Sequence, residues 1–137
     1  MGRIVTIIVF MLISSLFGDD SPKTYDTRAI DAFMDGIDLE AAGKYDQAIM
    51  AYKRAISYDP RAVDIHFSLA KLYLQTKQKE LAHASLLNVI KYDPRNLEAL
   101  ELLGEISQLN KEHDLALGYF ERILDIEYNN DYAILQS

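Results

Sequence analysis

The sequence predicts an all-α protein, a solenoid of three helix-turn-helix hairpins, and three observations carry that prediction. Tyr-Asp-Pro-Arg stands at residues 58–61 and again at 92–95, so Pro60 and Pro94 lie 34 residues apart. When residues 29–62, 63–96 and 97–130 are laid over one another, small residues recur in register as Gly36, Ala70 and Gly104, and again as Ala48, Ala82 and Ala116. A large apolar residue follows four positions after each of the second set, at Tyr52, Leu86 and Phe120. Within the blocks, apolar residues keep helical spacing: Ala48, Ile49, Tyr52, Ala55 and Ile56 share one face, and Leu69, Leu72 and Tyr73 share another.

The first element is a leader. Met-Gly-Arg is followed by IVTIIVFMLISSLF, an uncharged and mostly apolar run, and then by Gly18-Asp19-Asp20. A charged start, a short apolar centre and a polar exit are the layout of an export signal. As a helix the run rises about 21 Å, short of the roughly 30 Å hydrocarbon core of a bilayer. Residues 1–18 are therefore expected to be a signal peptide removed on export. Leu16 occupies a position where cleavage wants a small residue, so an uncleaved membrane anchor is the alternative. Met1-Gly2 with Thr6 also fits a loose myristoylation pattern, which would be redundant beside an export segment. Residues 19–28 read as a linker.

Each block then supplies two helices. Gly43, Lys77 to Lys79 and Asn110 to Glu112 fall where a block needs its internal turn, and Asp46 and Asp114 are expected to cap the helices that follow. Asp accepts hydrogen bonds from the orphan N–H groups of a helix start, and Pro suits the first helical position. Asp59-Pro60 and Asp93-Pro94 are therefore each expected to open a helix. The residue before a proline is pushed out of the α region, which ends the preceding helix near Tyr58 or Tyr92. Asp131 is expected to cap a short C-terminal helix over residues 131–137.

This pattern resembles the tetratricopeptide repeat, whose signature runs W-x2-L-G-x2-Y, then A-x3-F, then P. Its first part stands as Leu69-Ala70 with Tyr73 and as Leu103-Gly104, with Gly36 and Leu39 in the first block, and the second part is present in all three. The tryptophan column holds Ala32, His66 and Leu100, and Tyr128 replaces the third proline. The resemblance covers residues 29–130 and implies a right-handed α-solenoid of three repeats whose first helices line a concave groove.

Family positions that touch a ligand fall on Ile30, Phe33, Ile37 and Glu40 in the first block. They fall on Asp64, Phe67, Lys71 and Leu74 in the second, and on Glu98, Glu101 and Glu105 in the third. The implied groove is apolar at one end and acidic at the other, suited to a protein or peptide with apolar anchors followed by Lys or Arg. Family members that hold the acidic C-terminus of heat-shock chaperones use a clamp of Lys, Asn and Arg, and here Phe33 and Ile37 take two of its places. Packing against residues 19–28 is the plainer use of Ile30, Phe33, Ile37 and Phe67.

Other chemistries find no support in the residues. The chain has no cysteine, which excludes disulfides and a lipoprotein anchor. It has no G-x-S-x-G and no glycine-rich phosphate loop. His66, His83 and His113 lack the i, i+3 or i, i+4 pairing of helical metal ligands. No catalytic residue, cofactor or metal site is read here. A net charge of −7, from 21 acidic and 14 basic residues without a Lys or Arg run, argues against nucleic acid. Glu98, Glu101 and Glu105 share one helix face at i, i+3, i+7, a solvated face if nothing binds there.

The expected function is a noncatalytic binding scaffold exported to the cell envelope, periplasmic or secreted. The competing class is a membrane-anchored structural subunit, attached through residues 1–18, that self-associates or stacks in a larger envelope complex. A solenoid closes with a helix polar on its outer side, and the seven residues after 130 rise only about 10 Å. Leu117, Phe120 and Leu124, with Ile134 and Leu135, are therefore expected to form a terminal interface to a second copy or another protein.

Overall fold

The computed structural model describes residues 26–135, with side chains over 26–130. Among them are six helices and no strand: α1 (Thr27–Ala41), α2 (Tyr45–Tyr58), α3 (Val63–Gln75), α4 (Lys79–Tyr92), α5 (Leu97–Leu109) and α6 (His113–Leu135). They pair as α1–α2, α3–α4 and α5–α6, and α2 packs on α3 as α4 packs on α5, the quasi-linear stacking of a solenoid. The expected leader over residues 1–18 lies outside the described residues, as does most of the 19–28 linker. No helix among the described residues is long and apolar enough to cross a membrane.

The turn inside each hairpin is the same device three times. Lys44 N–H donates to the Leu39 carbonyl, Gln78 to Tyr73 and Glu112 to Ser107, at 2.7–2.9 Å. Each of these bonds closes over a left-handed residue, Gly43 (φ 72), Lys77 (φ 61) and Lys111 (φ 64). Glycine takes that conformation freely, whereas each lysine there costs about 1 kcal/mol. Asp46 is not a cap: Lys44 is the N-cap of α2, and Asp46 and Asp114 stand inside first turns. From there a carboxylate acts on the helix dipole rather than on one N–H.

Between hairpins the Asp-Pro pairs turn the chain instead of opening a helix, which corrects the expected boundaries. Asp59 (φ −132, ψ 87) and Asp93 (φ −131, ψ 84) are held extended by the proline that follows. Their carboxylates accept from the N–H of Arg61 (3.2 Å) and Arg95 (3.3 Å). Their carbonyls accept from Ala62 (3.3 Å) and Asn96 (3.2 Å). Pro60 and Pro94 thus sit second in a β-turn, where a fixed φ is wanted. The helices begin after it, with Ala62 and Asn96 as N-caps; the Asn96 side chain accepts from Ala99 N–H at 3.0 Å. With Tyr128 in the proline column nothing stops α6, so the short separate helix expected over 131–137 is instead the tail of α6, and Asp131 lies inside it.

The core forms where one hairpin meets the next. Ala32, Tyr52 and Ala55 are buried with Ile65, Leu69 and Leu72 of α3, while Ala70, Leu86 and Val89 are buried with Ala99, Leu103 and Ile106 of α5. Size is matched inside each hairpin. The Tyr52 ring occupies the space a Cβ on Gly36 would need, and Phe120 Cζ would lie 2.7 Å from a Cβ on Gly104. In the middle hairpin the smaller Leu86 accompanies Ala70. His66, in the tryptophan column, is buried, and its Nε2–H donates to the Pro60 carbonyl at 2.9 Å.

Candidate protein-binding groove

The expected groove residues lie on α1, α3 and α5, and the structure draws some of them into one cleft and commits others elsewhere. Ile30, Phe33 and Asp64 line a cleft of about 880 Å³ between the start of α1, the turn after α2 and the start of α3. Ile30 is 47% exposed, while Phe33 is half-buried against Tyr52, with ring centroids 5.6 Å apart. Ile37 is exposed farther along α1.

Glu40 has a structural task. It accepts from the buried Tyr52 hydroxyl at 2.6 Å. Burial, reinforced by that hydrogen bond, pushes the Tyr52 phenol well above its ordinary range. Leu74 packs against both core clusters, which also takes it out of the open surface.

In the middle of the row, Phe67 is half-buried on the second cluster and Lys71 Nζ lies 5.0 Å from the centre of its ring. At the far end Glu98, Glu101 and Glu105 are exposed on α5, and no cation among the described residues pairs with any of them.

Sequence reasoning missed several lining residues: Asp59, Arg61 and Tyr92 also face the cleft. The Arg61 guanidinium lies over the Tyr92 ring at 5.9 Å. All three belong to the duplicated Tyr-Asp-Pro-Arg strings, so the repeated string that ends α2 and α4 also lines the cleft. Asp26 closes the same cleft as N-cap of α1, accepting from Arg28 N–H at 3.0 Å. The side-chain hydrogen bond from Arg28 also holds its carboxyl below the usual range. Among the described residues no cluster of three or more His, Asp or Glu is placed to hold a metal ion.

On the terminal face, Leu117 and Leu124 are exposed. Phe120 is not on that face but half-buried against Gly104. The side chains of Ile134 and Leu135 lie outside those described.

A family profile described as TPR repeat matches residues 39–77, and one described as tetratricopeptide repeat matches residues 78–132. BBSome complex member bbs-4 of Caenorhabditis elegans is 33% identical over 91 residues, covering 66% of this chain and 20% of that protein. A peroxisomal targeting signal receptor of Komagataella phaffii is 32% identical over 100 residues, covering 72% of this chain and 17% of the receptor. The chain thus spans about a fifth of the length of these relatives. Among solved structures, a crystal structure of MamA superposes with TM-score 0.71 at 22% identity over 78% of this chain and 63% of that one, a likeness of fold alone. The second TPR of Spaghetti (RPAP3), bound to the HSP90 peptide SRMEEVD, superposes with TM-score 0.64 at 25% identity, covering 72% of this chain and 92% of that one.

Proposed function

We propose, from the premise that this chain is a tetratricopeptide repeat protein, that it is a noncatalytic protein-binding scaffold of the cell envelope that holds a peptide or protein along α1, α3 and α5. The observation that carries the reading is the division of that surface. A cleft in which Ile30, Phe33 and Tyr92 stand among Asp26, Asp59, Asp64 and Arg61, with Ile30 open to solvent, lies at one end, and three glutamates that pair with no cation among the described residues lie at the other. A fitting ligand seats apolar side chains in the cleft and presents Lys or Arg to Glu98, Glu101 and Glu105. The peptide in the Spaghetti complex is acidic, whereas the exposed Glu98, Glu101 and Glu105 favour a basic ligand here. Export by way of residues 1–18 belongs to the same proposal and is supported by their charged, apolar, polar order.

The test is a binding titration of the full chain with a labelled synthetic peptide that carries leucines followed by lysines. Replacing Glu98, Glu101 and Glu105 together with glutamine weakens binding about tenfold at low salt, at about 0.5 kcal/mol per exposed pair. That difference shrinks toward physiological salt, where charges are screened beyond about 8 Å. Ile30→Asp weakens binding at every salt concentration, because apolar burial is not screened. Affinity unchanged by both sets of substitutions removes the reading.

A further inference from the structure

The repeat sets the same surface on the far side of every second helix. On α2, Ile49 and Ile56 pack into the cluster that Ile65, Leu69 and Leu72 of α3 complete, and on α4, Ile90 packs with Ala99, Leu103 and Ile106 of α5. Two repeats further, the positions of Ile49 and Ile56, which α4 fills with His83 and Ile90, are Leu117 and Leu124 on α6, which are 58% and 64% exposed. α6 packs on α5 and is a single helix to Leu135, so residues 131–135 run on along its axis and do not fold back over these leucines.

We infer that this face of α6 docks a helix of a different protein, which acts as the first helix of a further unit and carries apolar residues at i, i+4 and i+7 flanked by Lys or Arg. The spacing is that of Ile65, Leu69 and Leu72, repeated as Ala99, Leu103 and Ile106, the two helices that cover the equivalent faces inside the molecule. A second copy stacked head to tail fits poorly. The same three columns on α1 hold Asp31, Asp35 and Asp38, all exposed, with Asp35 paired to Arg54 at 2.9 Å, and burying them against leucine would strip three carboxylates of water.

A second copy stacked tail to tail meets like charge. Asp114, Glu121 and Asp125 lie exposed beside the leucines, and the neighbouring Arg122 is engaged with the Pro94 carbonyl at 3.1 Å. Those carboxylates favour a partner with basic flanks. Among the described residues, the outer face of α1 is thus acidic where the outer face of α6 is apolar and keeps the register of the internal seams.

The probe for the test is a labelled synthetic copy of residues 62–76 carrying Asp64→Lys, Ser68→Lys and Gln75→Lys, titrated into the full chain. Binding is expected, with a loss of at least about tenfold in the Leu117→Ser/Leu124→Ser double variant. The melting temperature of that variant falls by only a few degrees, since both side chains are exposed and lose mainly helix propensity. A probe with glutamate at the three lysine positions binds at least about tenfold more weakly. The titration is repeated with Ile30→Asp and with Glu98, Glu101 and Glu105 replaced by glutamine, which disables the groove for a leucine- and lysine-bearing helix. The part of the binding that the Leu117→Ser/Leu124→Ser variant loses persists there, which separates this face from the groove. Absence of binding, equal binding of both probes or by the double variant, or loss of that part in the groove variant overturns the inference. So does a dimer in light scattering that the double variant dissolves, which assigns the face to a second copy.

Discussion

The first and third hairpins carry the same contact, a glycine on the first helix under an aromatic ring on the second, yet the two rings differ in burial. Tyr52 over Gly36 is 1% exposed, whereas Phe120 over Gly104 is only half-buried. The difference lies in what comes after each hairpin. Ile65, Leu69 and Leu72 of α3 seal the side of α2 that carries Tyr52, and no helix among the described residues does this for α6. A repeat column therefore sets which side chain is offered, and the following unit sets how deeply it is buried.

The largest expected effect breaks the symmetry of the two glycines. A methyl at residue 36 overlaps the Tyr52 ring, which is enclosed and has nowhere to move. Overpacking of this kind costs about 3 kcal/mol, while alanine returns about 1 kcal/mol of helix propensity, so Gly36→Ala destabilises by about 2 kcal/mol. At Gly104 the same methyl meets Phe120, which can swing toward the uncovered side, so the clash costs about 1 kcal/mol and Gly104→Ala comes out near zero. Urea unfolding of the two variants checks this, and equal losses would mean that α6 is as enclosed as α2.

A second pair sharpens the same contrast at the outer face. Ile56 is half-buried within the first cluster and Leu124, its equivalent, is exposed. Ile56→Ala should cost about 2 kcal/mol, the low end for apolar truncation because the site is only partly enclosed. Leu124→Ala should stay within about 0.5 kcal/mol. A comparable loss at Leu124 would show that something already covers it.

Much of this was legible in the sequence, because a 34-residue period constrains every column at once. The glycine and alanine columns, the hairpin turns at Gly43, Lys77 and Lys111, and the burial of His66 in the tryptophan column all follow from register. The Asp-Pro pairs misled because aspartate and proline serve a helix start and a β-turn equally well, and only backbone geometry decides between them. Glu40 shows the limit for the groove. Its column marks it as ligand-facing, but a hydroxyl from another helix claims it, and such pairings lie across the fold and not along the chain. The acidic column Asp31, Asp35 and Asp38 was equally visible in register, yet it gains meaning only once its partners Ile65, Leu69 and Leu72 are known to be the seam.

The smallest expected effect turns on the one atom by which Tyr52 differs most from Phe120, its hydroxyl. Tyr52→Phe removes the hydrogen bond to Glu40, whose half-exposed carboxylate can turn to water, so the loss at neutral pH should be about 1 kcal/mol. The pH dependence is more telling. Burial first, and the Glu40 bond second, raise the folded phenol above its ordinary value of 10.0. The folded state therefore keeps its proton where the unfolded chain releases it, and this contribution is intact below about pH 10 and lost as pH rises beyond it. Burial raises Tyr73 in the same direction, so the variant should lose stability less steeply in alkali without becoming flat. The third hairpin adds nothing to this loss from the matching positions, because they hold Phe120 and Ser107. Urea unfolding of the wild type and Tyr52→Phe between about pH 8 and pH 11 reads the difference directly. Parallel curves would show that the alkaline sensitivity arises elsewhere and that Tyr52 and Phe120 differ only in packing.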